Sequence, residues 1–178
     1  HRAGQSRAVR RAFLCTERGL RERGAAPAKL AKGPAARMLP LAAGHVFQLG
    51  GRTVKVLAAG GHTPGGAYYL CREEGLLFTG DNICREVWLF LPGACPLEQW
   101  VQRAEKTLCL VGQNGLRMYS GHGGAVAPAM VYGQISTARK YLGQHPANTH
   151  LACVRALACG GGGRILLRTD RLYAPPAK

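Results

Sequence analysis

Two histidines and one aspartate in this 178-residue chain stand in settings suited to holding a metal. His62 lies within Gly60-Gly61-His62-Thr63-Pro64-Gly65-Gly66, and Asp81 closes Leu76-Leu77-Phe78-Thr79-Gly80-Asp81. His122 lies within Tyr119-Ser120-Gly121-His122-Gly123-Gly124. Each side chain follows a run that reads as a strand, and the small residues around it let the backbone turn tightly. Imidazole and carboxylate groups at strand ends suit a divalent cation whose ligands converge from separate loops. A lone loop histidine is more often solvated or structural, and Thr-Gly-Asp is a common turn. The signal lies in the order and spacing of the three, with 19 residues from His62 to Asp81 and 41 from Asp81 to His122.

The surrounding elements can be read from periodicity. Val46, Phe47 and Leu49, then Gly50-Gly51, then Thr53, Val54, Val56 and Leu57 predict a hairpin with a Gly-Gly turn. Ala67 to Cys71 and Leu76 to Thr79 predict a second strand pair around Glu73-Glu74-Gly75. Pro96 reads as a first helical residue, followed by Leu97, Trp100, Val101, Ala104 and Leu108 at helical spacing. Leu116 to Tyr119 reads as a short strand, and Pro128 to Leu142 as a helix with Met130, Val131, Ile135 and Leu142 on its apolar side. Gly160 to Gly163 reads as a turn, and Arg164 to Tyr173 as a last strand. Strands that pair locally and then alternate with helices predict a mixed α and β domain.

Composition narrows the classes. At 47% hydrophobic and 19% charged residues, the chain can bury a core and is not disordered as a whole. No run reaches the roughly 18 to 20 apolar residues of a membrane span. The 25 glycines and 10 prolines follow no fixed period, which excludes collagen and repeat arrays. Seven cysteines without a Cys-x-x-Cys pair suit reduced thiols in a cytoplasmic protein better than a disulfide framework. The net charge of +15 is uneven, with +8 of it carried by residues 1–37. There, an amphipathic helix over roughly 4 to 23 and a Pro/Gly/Ala linker to Pro40 are expected. A nucleic-acid patch is one reading of this stretch, but aromatic residues are scarce in it, and a solvated face is the plainer one.

From about residue 44 to its end, the chain resembles the metallo-β-lactamase superfamily of metal-dependent hydrolases. The resemblance rests on Gly61-His62-Thr63-Pro64-Gly65, Thr79-Gly80-Asp81 and Gly121-His122-Gly123 in family order and at family-like intervals. Asp81 through Trp88-Leu89-Phe90-Leu91 to Pro96, and Leu167-Arg168-Thr169-Asp170-Arg171-Leu172, add to it. It implies an α+β fold, a four-layer αββα sandwich. The family's upstream His-x-His-x-Asp-His signature has no match within the chain. The opening His1-Arg2-Ala3-Gly4 suggests that His1 is the last histidine of that signature, with the N-terminal part of the first sheet lost and residues 1–178 forming one partial domain.

The resemblance further implies residue roles. His62 would be an imidazole on one metal, Asp81 would bridge two metals and act catalytically, and His122, with His1, would complete the second site. The metals would be zinc, two per intact site, with iron or manganese as alternatives. Water activated by them near neutral pH would attack a small-metabolite ester or thioester. Because fold does not fix function, two other readings stay open: an RNA or DNA phosphodiesterase of the same superfamily, with nucleic acid a less favoured partner than a small molecule, and a non-catalytic truncated remnant or binding module.

Other residues draw weaker readings. His45, His145 and His150 are expected to be surface or structural, and Tyr68 to face the core. Cys84 could border the pocket but reads first as a small apolar filler. Trp88 and Phe90 are candidates for lining a substrate pocket. Glu73 and Glu74 are expected to be solvated at a hairpin tip. No phosphate-binding glycine loop and no Gly-x-Ser-x-Gly elbow is present, so nucleotide-binding and serine-hydrolase chemistry have no support.

Overall fold

Alternating buried and exposed side chains build most of the strands of this protein, whose computed structural model describes residues 12–16 and 37–175. A six-stranded sheet contains β3 (Val46–Gln48), β4 (Thr53–Ala58), β5 (Ala67–Cys71), β6 (Leu76–Gly80), β8 (Arg117–Ser120) and β9 (Ala125–Val126), in the order β3-β4-β5-β6-β8-β9. A three-stranded sheet orders β10 (Val154–Ala158), β11 (Arg164–Arg168) and β7 (Glu86–Leu89) as β10-β11-β7. Two helices, α1 (Leu97–Asn114) and α2 (Pro128–Gln144), complete the α+β architecture.

One core joins these parts. Tyr68, Leu70, Leu77 and Met118 of the large sheet and Val87, Leu89, Ile165 and Leu167 of the small one are buried with the helical faces. The α1 face is Leu97, Trp100, Val101, Ala104, Leu108 and Val111, the three- and four-residue spacing of an apolar stripe. The α2 face is Met130, Val131, Gln134, Ile135 and Ala138. Pro128 opens α2 from inside its first turn, whereas Pro96 stands one residue before α1 as its N-cap.

The two sequence-predicted hairpins form. In the first, Val46 pairs with Lys55 and Gln48 with Thr53, and Leu49 closes the Gly50-Gly51 turn by donating its N–H to the Arg52 carbonyl. In the second, Tyr69 pairs with Phe78 and Cys71 with Leu76. Glu73 and Glu74 at its tip are exposed but engaged rather than merely solvated. Glu73 accepts from the Thr53 N–H and hydroxyl, and Glu74 pairs with Arg52.

Three expectations are corrected. Ala12–Thr16 is not helical but forms β1, paired parallel with β2 (Arg37–Leu41), which had been expected as linker. Aromatic, aliphatic and Thr residues favour a strand here, and the register sets Leu14 opposite Leu39. The rest of the expected basic helix, and His1, lie outside the described residues. The last strand stops at Arg168, because Thr169 turns the chain into the 3-10 helix Thr169–Arg171. Its hydroxyl there donates to the Leu151 carbonyl and accepts from the Cys153 N–H.

Candidate metal centre

Strand direction brings the three sequence-predicted residues together. The β4–β5 and β5–β6 pairs are antiparallel, so β4 runs parallel to β6, and β6 is also parallel to β8. The C-terminal ends of β4, β6 and β8 therefore emerge along one edge of the sheet, and His62, Asp81 and His122 follow them. His62 Nε2 lies 3.9 Å from Asp81 Oδ2, and His122 Nε2 lies 3.6 Å from Asp81 Oδ1. One carboxylate thus stands between two imidazoles, with a different oxygen toward each. Among the described residues, no group of three or more His, Cys, Asp or Glu converges as a ready metal cluster.

The two histidines are held differently. The His62 side chain is 17% exposed, and its Nδ1 lies 2.9 Å from the Trp88 carbonyl. A carbonyl only accepts, so Nδ1 carries the hydrogen and a neutral ring keeps its Nε2 lone pair toward Asp81. A metal ligand needs that tautomer. The His122 side chain is 86% exposed. Its loop is closed by the Ser120 N–H donating to the Gly124 carbonyl at 2.9 Å.

Asn82 organises the centre, a role that sequence reading missed. It is buried; its Oδ1 accepts the His62 backbone N–H at 2.9 Å, and its own carbonyl accepts Trp100 Nε1–H at 2.9 Å. The fit requires small neighbours, since a Cβ at Gly61 would lie 2.7 Å from Asn82 Oδ1 and one at Gly66 2.6 Å from Nδ2. Gly121 makes the same allowance for Asp81, whose Oδ1 would lie 2.7 Å from a Cβ there. Buried Thr79 donates to the Ile83 carbonyl at 2.7 Å, bracing the turn that carries Asp81. Asn82 adjoins Asp81 in sequence, but adjacency alone does not reveal a side chain turned back onto another loop.

Beside these groups lies a cavity of about 360 Å³. His62, Asp81, His122 and Gly123 form one part of its lining, and Cys84, Arg85, Glu86 and Trp88 the other. Trp88, on β7, lines this cavity. Phe90 does not; it lies past the end of β7 and sets its ring 5.4 Å from that of Trp88. Trp88 Nε1–H donates to Glu86 Oε1 at 2.8 Å, and Glu86 Oε2 pairs with Arg164 at 2.9 Å. Burial pushes the Cys84 thiol up to about 11, so the group stays protonated and packs as a small apolar side chain. Tyr68 is buried and shares a hydrogen bond with Thr107. His45 sets its ring against Phe47, His145 stacks on Tyr141, and His150 is exposed; none lines the cavity.

Behind the cavity wall, buried Gln134 of α2 directs Nε2 at three carbonyls. They belong to Cys84 at 3.0 Å, Arg85 at 3.2 Å and Arg164 at 3.3 Å. Its Oε1 is buried without a partner.

No protein-family description matches the chain, and no curated protein does. Among solved structures it is similar to a metallo-β-lactamase from Pontibacter korlensis, with TM-score 0.50 and 16% identity over 69% of this chain and 55% of that one. It is also similar to a metallo-β-lactamase family protein from Thermus thermophilus, with TM-score 0.45 and 23% identity over 63% and 37% of the two chains. A protein solved in a di-iron-bound form gives TM-score 0.47 and 26% identity over 65% and 59%. The chain spans between 37% and 59% of the length of these proteins, and the likeness is one of fold.

Proposed function

The chain has the metallo-β-lactamase fold, and on that premise we propose that it is a metal-dependent hydrolase acting on a small-metabolite ester or thioester at a two-metal centre. The observation that supports this most is Asp81, with one carboxylate oxygen toward His62 and the other toward His122. Imidazole and carboxylate are ordinary zinc donors, and the tautomer of His62 suits coordination, so the residues fit the group. Zinc is the first assignment, with iron or manganese as alternatives. Bound there, the metals would supply Lewis acidity and a water activated near neutral pH.

Each residue has a distinct task in this reading. His62 presents Nε2 from a ring pinned by the Trp88 carbonyl, and Asn82 fixes the loop beneath it. Asp81 would be the carboxylate shared between the two metals, and exposed His122 would supply a donor on the open side. The three leave zinc short of its usual coordination, so further ligands must come from elsewhere, and His1 is the one we assign. The cavity wall at Cys84 to Trp88 receives the substrate. A cytoplasmic location agrees with Cys71, Cys84, Cys95, Cys109, Cys153 and Cys159 all being free thiols. No described helix is long and apolar enough to cross a membrane.

Elemental analysis tests the centre. We expect bound metal that is lost in Asp81→Asn, and thioester or ester hydrolysis that falls with it. Metal content should rise when the protein is expressed with the codons that precede His1, provided they encode an in-frame His-x-His-x-Asp. Absence of metal from both forms would overturn the hydrolase reading and favour a non-catalytic binding module. The net charge of +15 favours a second reading, a phosphodiesterase acting on RNA or DNA. RNA affinity that drops steeply with added salt, alongside phosphodiester turnover, would select it over the first.

A further inference from the structure

Strand β10 ends its sheet, and its outer edge pairs with no other strand among the described residues. The two ends of the strand show which backbone groups that edge offers. The Cys159 N–H donates to the Gly163 carbonyl at 2.9 Å, and the Cys153 carbonyl accepts from the Thr169 N–H at 2.9 Å, so both cysteines turn their backbone inward, to the β11 side. This orientation alternates along an antiparallel ladder. Arg155 and Leu157 therefore bond to β11 as well, whereas Val154, Ala156 and Ala158 direct their N–H and carbonyl groups outward. All three are exposed, the register with β11 is regular, and Arg155 is the one charge on the strand. Such an edge is a template for another strand.

The segment Cys153-Val154-Arg155-Ala156-Leu157-Ala158-Cys159 also has a symmetry about Ala156. When it is laid antiparallel on a copy of itself with Ala156 opposite Ala156, Val154 meets Ala158. The three outward residues then form three pairs with two hydrogen bonds each. Arg155 meets Leu157, and Cys153 meets Cys159. Sliding the copies by two residues in one direction sets Arg155 against Arg155, and in either direction carries an outward residue off the end of its partner strand. Charge and hydrogen bonding thus select the same register.

We propose that β10 is the docking edge for a second copy of this chain, the two strands joining antiparallel about Ala156 so that the β7-β11-β10 sheets of both copies become continuous. The proposal is independent of the hydrolase reading and requires no metal. Paired strands alone make a modest interface, and the net charge of +15 on each copy opposes association. The dimer is therefore weak, and added salt strengthens it by screening that repulsion.

Sedimentation and disulfide capture test this on the full chain. Cys153 and Cys159 are free thiols six residues apart along an extended strand, about 20 Å at roughly 3.3 Å per residue. Bridged cysteines hold their Cα atoms only about 4.4–6.8 Å apart, so a Cys153–Cys159 disulfide forms between two copies and not within one. Diamide is the oxidant: it takes two hydrogens from a thiol pair, becomes the hydrazine and leaves the S–S bond. We expect the average mass to rise toward that of a dimer with protein concentration and with salt. Diamide should give a covalent dimer in which the Cys153 and Cys159 peptides are joined. Ala156→Pro removes an N–H that β11 does not use, so the fold is kept, but both central bonds of the dimer are lost. Association should weaken about tenfold or more. Cys153→Ser should lose the covalent link and sediment as the unmodified protein does. A monomer at every concentration, with no Cys153–Cys159 link, would overturn the proposal. So would a dimer that survives Ala156→Pro and never yields that link, since it must use another surface. Should Ala156→Pro fail to fold, the Cys153–Cys159 link in the unmodified protein decides alone, its presence supporting the pairing and its absence overturning it.

Discussion

At the scale of single residues, the proposed metal centre depends as much on the side chains that position its donors as on the donors themselves. Asn82→Ala leaves the His62 N–H without its acceptor in a largely buried loop, which costs about 1–3 kcal/mol. Urea unfolding should show that loss, and elemental analysis should show weaker metal retention although every donor remains. Cys84 gives a second check. With its thiol held near 11, only about one part in a thousand is thiolate at pH 8, so alkylation should modify exposed Cys109 well before Cys84. The Cys84 rate should climb as pH rises toward 11, and fast labelling at pH 8 would contradict its protected setting. His62, Asp81 and His122 could be singled out from the sequence because three short segments, each weak alone, recur in a telling order and spacing, 19 and 41 residues apart. Asn82, Arg85 and Gln134 could not. Gln134 bonds to carbonyls 49 and 50 residues away, and no spacing rule marks a glutamine that serves another element's backbone.

At the scale of elements, glycine has opposite consequences on the two helices. A Cβ at Gly133 of α2 would come within 2.3 Å of the Gly160 carbonyl oxygen, because helix and turn meet backbone to backbone. A Cβ at Gly112 of α1 meets nothing within 4 Å. Alanine improves a helix by about 1 kcal/mol over glycine where nothing opposes it. Gly112→Ala should therefore stabilise the protein by roughly 0.5–1 kcal/mol, whereas Gly133→Ala should destabilise it, the clash outweighing the propensity. Denaturant midpoints of the two variants, read side by side, decide this; equal shifts of the same sign would show that the packing is slack. The helices and hairpins were readable because their apolar residues repeat at helical or alternating spacing. β10 was not, since Val154, Arg155, Ala156 and Ala158 are all exposed and offer no alternation to detect. β7 was equally hidden, because only four residues define it and its partner β11 lies far along the chain.

At the scale of the whole molecule, the sheet separates two ends with different duties. The loops bearing His62, Asp81 and His122 leave the C-terminal ends of β4, β6 and β8, whereas the Gly50-Gly51 turn and the Glu73–Gly75 tip sit at the opposite ends of β4 and β6. The Arg52–Glu74 pair joins those two tips, and Arg72 and Arg117 add hydrogen bonds to Asn114 and the Glu74 carbonyl. Lengthening the Gly50-Gly51 turn by a few residues should leave metal content unchanged and cost little stability, because the cost of loop closure grows only slowly with length. Loss of metal from such a variant would show that the two ends communicate. If they do not, the far turn is a natural anchoring point. A dye, an affinity handle or a solid support attached there would hold the molecule with its cavity turned outward, open to whatever small molecule is passed over it.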